Sequence, residues 1–144
     1  MGIREDYVAQ VKQKLGIAYR YGGKGPLYDC SGTVTVSMRG AGMNIGDHNA
    51  NELSKIFSGK DVPYADALPG TLCFYGDSPE TVDHVMTVIE RWADGYLVLA
   101  GAHSGGATTT TLAAAEAAGA MVGTVPQSYW SSKRQLVLDP FKEV

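Results

Sequence analysis

A chain of 144 residues with a net charge of −3 and a pI of about 5.5 suits one domain with one core. Its 44% hydrophobic and 19% charged composition is that of a globular protein, and the acidic balance argues against a nucleic-acid partner, which needs a basic patch. No apolar run approaches the ~18 residues of a transmembrane helix, and the polar start Met1-Gly2-Ile3-Arg4-Glu5-Asp6 lacks a secretory h-region, so neither membrane insertion nor a signal peptide is expected.

Residues 3–15 carry Ile3, Tyr7, Val8, Val11 and Leu15 at helical spacing and stop at Gly16, which predicts an amphipathic helix. Residues 17–29 are a loop punctuated by Gly22, Gly23, Gly25 and Pro26. Over residues 30–40 two signals conflict. The alternating, β-branched Thr33-Val34-Thr35-Val36 favours a strand. Asp29 as N-cap, Val34 and Met38 four apart, and glycines at 40 and 42 favour a helix. Local propensity alone tilts toward strand. Asn49 and Glu52 have capping-box spacing ahead of Ala50, Leu53, Ile56 and Phe57, a helix closed by Gly59.

Strands are expected over 71–75, 84–91 and 96–100, the last two joined as a hairpin through Trp92-Ala93-Asp94-Gly95. A small-residue loop holding His103 follows over 101–111. An alanine-rich helix over 112–118 comes next, closed by Gly119, and then strands over 120–125 and 135–138. Eighteen glycines and this order of elements point to a loop-rich α+β fold.

The chemistry centres on Cys30, flanked by the polar Asp29 and Ser31. Cys73 sits mid-strand between Leu72 and Phe74 and reads as buried packing. A hairpin centred between Ala93 and Asp94 sets His84 opposite His103. With Asp94-Gly95 as the two-residue turn, His103 faces Met86 and His84 lies one diagonal step away. Either register puts both imidazoles on one sheet face. A thiol with a free pKa of about 8.5 gains a nucleophile's reactivity when an imidazole takes its proton, and the imidazole needs a partner on its second nitrogen. If Asp29 caps a helix that starts at Cys30, the thiolate also gains from the helix N-terminus. Zinc held by Cys30, His84 and His103 is the rival reading, and no close Cys or His pair anchors it. His48, in a polar loop, reads as a surface residue, and Trp92 and Trp130 as packing or turn aromatics.

Tyr19-Arg20-Tyr21-Gly22-Gly23, Asp29-Cys30-Ser31-Gly32, Leu68-Pro69-Gly70, Asp83-His84-Val85 and Ala102-His103-Ser104-Gly105-Gly106, in that order, resemble the motifs of the NlpC/P60 cysteine peptidases, papain-like cell-wall hydrolases. The resemblance implies one catalytic domain over residues 1–144. Its fold would be α+β, with the nucleophile at the head of a helix packed on a small antiparallel sheet. That settles residues 30–40 as helix. It also implies Cys30 as nucleophile, His84 as general base, His103 as the group orienting His84, and Tyr19 as a partner of the Cys30 N–H in holding the oxyanion. Asp29, Ser31 and Tyr21 would line the substrate groove. The substrates implied are peptidoglycan stem peptides, cut between γ-D-glutamyl and a diamino acid, with no cofactor or metal. An N-acetylmuramoyl-L-alanine amidase or an acyltransferase on the same fold, or a non-catalytic phage-tail or wall-binding component, are the alternatives. Departures are Tyr21 where tryptophan is common, Thr71 where aspartate usually follows Pro-Gly, and Met86 where Gly-Ile is common. A lone catalytic domain starting at its own Met1 looks like a phage-encoded lysin, a tail-associated hydrolase or a domain used within a larger lytic assembly, acting on the wall after delivery by other means.

Overall fold

The computed structural model describes residues 2–143. Four helices and five strands run in the order α1 (Ile3–Gln13), α2 (Cys30–Gly40), α3 (Ala50–Ile56), β1 (Leu72–Gly76), β2 (Val82–Arg91), β3 (Leu97–His103), α4 (Leu112–Ala118), β4 (Met121–Pro126) and β5 (Arg134–Leu138). The strands form one antiparallel sheet ordered β4-β3-β2-β1-β5. Its long central pair is the expected hairpin, and Gly95 takes the positive φ that its tight connection requires.

Residues 30–40 are helical in spite of four β-branched side chains. Each costs up to ~0.7 kcal/mol against alanine in a helix. Burying Val34 and Met38, 2% and 0% exposed, returns about 1.5–3 kcal/mol per side chain. The cap adds to this. Asp29 Oδ1 accepts the Gly32 N–H at 2.6 Å, and the Thr33 hydroxyl donates to the Asp29 carbonyl at 2.7 Å. Packing and capping together outweigh propensity. The Asn49–Glu52 capping box forms in both directions, at 2.8 and 3.0 Å, and starts α3 as its spacing predicts.

The sheet separates two cores. On one face, α1, α2 and α3 cover Leu72, Phe74, Val85, Ile89, Ala100 and Leu138. The fully buried Tyr7 of α1 hydrogen-bonds Thr87 of β2 at 2.8 Å there. On the other face Cys73, Tyr75, Met86, Val88, Leu97 and Leu99 pack beneath Tyr64 and Tyr129. Arg4 ties the first helix to the chain's far end: it pairs with the nearly buried Asp139 at 2.8 Å and donates to the Pro69 carbonyl at 2.9 Å. A third cluster, Tyr19 with Ala102, Ala115, Ala120 and Val122, anchors the loop before α2 against β3, β4 and α4.

The hairpin register carries a bulge. Thr87 opposes Ala100 and Val88 opposes Leu99, but past Ile89 the partners shift by one, to Glu90–Val98 and Arg91–Leu97. The irregularity lies on the turn side, so toward the histidines the chain keeps the register centred between Ala93 and Asp94. Carried three residues further, that register sets position 84 opposite 103. His103 ends strand β3, where the sequence suggests loop, because β4 pairs with it from Val98 onward and aligns His103 with Met121.

Candidate active site

Cys30 is the first residue of α2, 9% exposed, and belongs to the core on the helix-covered face of the sheet. Its thiol lies beside the Val85 N–H, one residue past His84. Two adjoining clefts share Tyr19, Tyr21, Cys30 and Asp83. One, of about 470 Å³, is polar and holds Asp29, Ser31 and Lys24 with His48 and Glu52 across from them. The other, of about 650 Å³, is walled by His84, His103, Tyr129 and Trp130. Every candidate site residue read from the sequence lines one cleft or the other.

Two glycine contacts set this geometry. The Gly32 backbone lies against the Gly23 carbonyl so closely that a Cβ would come within 2.0 Å of its oxygen, which presses the Tyr19–Tyr28 loop onto the first turn of α2. A Cβ on Gly105 would lie 2.4 Å from the Tyr19 ring, so the 104–106 loop can cover that tyrosine only because it is glycine there. Tyr19 itself is 7% exposed, and burial together with the nearby Cys30 and Asp29 raises its hydroxyl pKa.

Burial works against charge on both members of the pair. Burial pushes the Cys30 thiol up to about 12; the Val85 N–H opposes this and the Asp29 carboxylate adds to it. The sequence suggests a thiolate favoured by the helix N-terminus. The N–H groups of Cys30 and Ser31 at that terminus do lower the thiol pKa, but burial and the charge of the capping Asp29, bonded to Gly32 N–H, outweigh them. Burial, followed by the charge of His103, pushes His84 down to about 4. Burial also lowers His103 and raises the Asp29 carboxyl.

His84 and His103 share a sheet face, as the hairpin arithmetic requires, and both rings pack on Tyr129, at centroid distances of 5.8 and 6.5 Å. Their hydrogen bonds run elsewhere. His84 Nε2 bonds Tyr129 Oη at 3.0 Å, while His103 Nδ1 bonds Ser104 Oγ at 2.8 Å. The partner of His84 is therefore a residue that sequence reasoning passed over. The one available signal was a pair of aromatics, Tyr129 and Trp130, in a polar connection between two strands. Trp130, read as a packing aromatic, stacks on Tyr75 at 6.0 Å and also meets the His84 ring edge-on at 5.9 Å. His48, read as a surface residue, lies on the wall of the polar cleft, half-buried and 3.9 Å from Glu52.

The two thiols differ in access more than in acidity. Burial drives both up to about 12, but Cys30 opens onto the clefts, while Cys73 is 0% exposed in mid-strand. Iodoacetamide at neutral pH is therefore expected to modify Cys30 slowly in the folded protein and Cys73 only after denaturation. Peptide mass spectrometry of the alkylated protein checks this, and equal labelling of both thiols in the native state would contradict it.

The NlpC/P60 family model matches residues 16–138. No curated protein matches the sequence. Similar solved structures include NlpC1 from Trichomonas vaginalis, 19% identical with a TM-score of 0.70, over 97% of this chain and 45% of that one. The peptidoglycan hydrolase RipB from Mycobacterium tuberculosis is 20% identical with a TM-score of 0.64, over 98% of this chain and 66% of RipB. RipD from the same organism, a non-catalytic NlpC/p60 domain protein adapted to peptidoglycan binding, is 16% identical with a TM-score of 0.63, over 96% and 97%. The present chain thus spans less than half the length of NlpC1, and at these identities the likeness is one of fold. The family match extends from the loop before Cys30 to the last strand and takes in the whole sheet and the three later helices: this chain belongs to the NlpC/P60 family.

Proposed function

We propose that this protein is a cysteine endopeptidase that hydrolyses peptidoglycan stem peptides, at the bond between a γ-D-glutamyl residue and a diamino acid. The observation that carries the reading is the cleft shared by Tyr19, Cys30 and His84, with the cysteine at the head of a buried helix. The Cys30 thiol gives its proton to His84 as its sulfur bonds the scissile carbonyl carbon. The Cys30 N–H and the Tyr19 hydroxyl face the developing oxyanion. The carbon–nitrogen bond then breaks as the imidazolium protonates the leaving amine. Water, deprotonated by His84, releases the acyl group as a carboxylate and restores the thiol. Asp29, Ser31 and Tyr21 line the groove on the polar side and supply the carboxylate, hydroxyl and aromatic surface a stem peptide would meet. No step calls for a metal or cofactor. The site of action is the cell wall, reached by export.

Burial disfavours charge on both the thiol and the imidazole, which favours proton transfer in concert with attack over a standing ion pair. A second reading, in which the cleft binds wall peptides without turnover, is supported by the fold likeness to the non-catalytic RipD. Mass spectrometry of muropeptides from several wall types, before and after incubation, separates the readings. The endopeptidase yields fragments cut after γ-D-glutamyl. Release of the intact stem peptide from muramic acid would indicate an amidase. Muropeptides left whole but bound would leave the non-catalytic reading standing.

A further inference from the structure

The contact between Tyr129 and His84 has a consequence for proton placement. A neutral imidazole carries one N–H, and the nitrogen opposite it is the base. If Tyr129 Oη donated to Nε2, the proton would sit on Nδ1 and that nitrogen could take nothing from a thiol. If Nε2–H donates to Oη, Nδ1 is free. The phenol is fixed in place against this nitrogen. It is held in a cage of aromatic rings, edge-on to Tyr75 at 5.4 Å and beside Trp130 at 6.5 Å. Its own turn is pinned: the Tyr64 hydroxyl donates to the Gln127 carbonyl at 2.6 Å, Leu97 N–H to the Gln127 side chain at 3.2 Å, and Tyr129 N–H to the Pro126 carbonyl at 2.9 Å. His103 is engaged elsewhere, with Nδ1 on Ser104 and Nε2 lying so close over Gly123 that a Cβ there would be 2.8 Å from it.

We infer that Tyr129 is the positioning residue of the site, accepting the Nε2–H of His84 so that Nδ1 is held unprotonated as the base. This rests on the peptidase reading for its purpose but not for its geometry. The phenol does not ionise in the cycle; when His84 becomes imidazolium, the same Nε2–H bond persists and steadies the charge. Tyr129 and Trp130 then serve one end, since the indole stacked on Tyr75 closes the outer side of the cage.

The test uses the full chain labelled with ¹⁵N-histidine. Long-range ¹H–¹⁵N correlation reads the tautomer of His84, assigned by loss of its signals in His84→Gln. Wild type is expected to show a protonated Nε2 and a bare Nδ1 at neutral pH. Tyr129→Phe is expected to mix the two tautomers, Tyr129→Gln to restore the wild-type pattern through its amide oxygen, and His103→Gln to leave it in place. In muropeptide hydrolysis Tyr129→Phe should lower kcat by at least ~10-fold with little change in KM. An Nδ1–H tautomer in wild type, an unchanged tautomer in Tyr129→Phe, or a change produced by His103→Gln instead would overturn the assignment. A wild-type protein that cuts nothing yet shows the Nε2–H tautomer, lost in Tyr129→Phe, would refute the peptidase reading alone and leave the assignment of Tyr129 intact.

Discussion

Cys30→Ala is expected to lower muropeptide hydrolysis by at least ~10⁴-fold while leaving binding to wall peptides in place. Removing the sulfur removes the acyl-enzyme: the Tyr19 and Ser31 hydroxyls on the cleft walls have no hydrogen bond to His84, and the Tyr129 hydroxyl, which has one, is committed to positioning that ring. The substitution trims one heavy atom from a 9% exposed position, so the fold should lose only about 1 kcal/mol. Comparing hydrolysis with pull-down on insoluble peptidoglycan separates chemistry from recognition. A wild-type rate matched by the alanine variant would remove Cys30 from the mechanism. The pH profile supplies a second check on the same site. A protonated His84 cannot take the thiol proton, so activity rises as pH climbs through the pKa of that imidazole. Burial has moved it from an ordinary 6.5 down to about 4. The acid limb of kcat/KM should therefore lie near pH 4–5, well below that of an unperturbed histidine. An acid limb near 6.5 would mean that His84 is solvated in the working enzyme.

Much of this site is readable in the sequence alone, and the reasons differ by element. The helix-starting signals at Asp29 and Asn49 work because a cap is a local event: one carboxylate or amide satisfies an N–H three residues on, and sequence spacing contains all of it. The hairpin is legible because Asp94-Gly95 fixes a turn and side chains alternate. That was enough to put His84 and His103 on one face in spite of the bulge at Ile89. Residues 30–40 mislead local propensity because their helical state is decided by burial of Val34 and Met38 against strands far downstream in the chain. The order of short motifs, not periodicity, is what turned that reading to helix. Tyr129 is illegible for the opposite reason. It reaches His84 from 45 residues downstream, through a turn whose shape is set by Tyr64, Gln127 and Leu97. Nothing in its neighbours' identities foretells which ring it meets. The electrostatics were equally hidden. A cap and a helix dipole suggest an acidified thiol, and only the degree of burial shows that desolvation and Asp29 win.

The other large effect is expected at a position with no chemistry. Gly32→Ala should cost about 3 kcal/mol and cripple the site. Its Cβ would fall 2.0 Å from the Gly23 carbonyl oxygen and 2.8 Å from Asp29 Oδ1. Neither neighbour can yield cheaply. The Gly23 carbonyl is main chain and accepts the Asp29 N–H at 3.1 Å, while Gly23 is itself wedged, with a Cβ there meeting the Leu27 carbonyl oxygen at 2.5 Å. The Asp29 carboxylate is the cap of α2. To admit one methyl, the loop must lift from the helix, and it takes with it both the 2.6 Å cap bond and the seat of Tyr19 beside Cys30. Urea unfolding should show a lower midpoint with an unchanged slope, the mark of lost stability without a changed fold. Gly106→Ala is the matched control, since no atom outside its neighbours lies within 4 Å of its Cβ direction and its φ is not positive; it should shift stability by under ~0.5 kcal/mol. If the two variants unfolded alike, the crossing of loop and helix at Gly23 and Gly32 would not be what aligns Tyr19 with Cys30. The glycines that frame the cysteine in the sequence would then be turn formers only, instead of the contact that lets a loop and a helix approach closely enough to build one site from both.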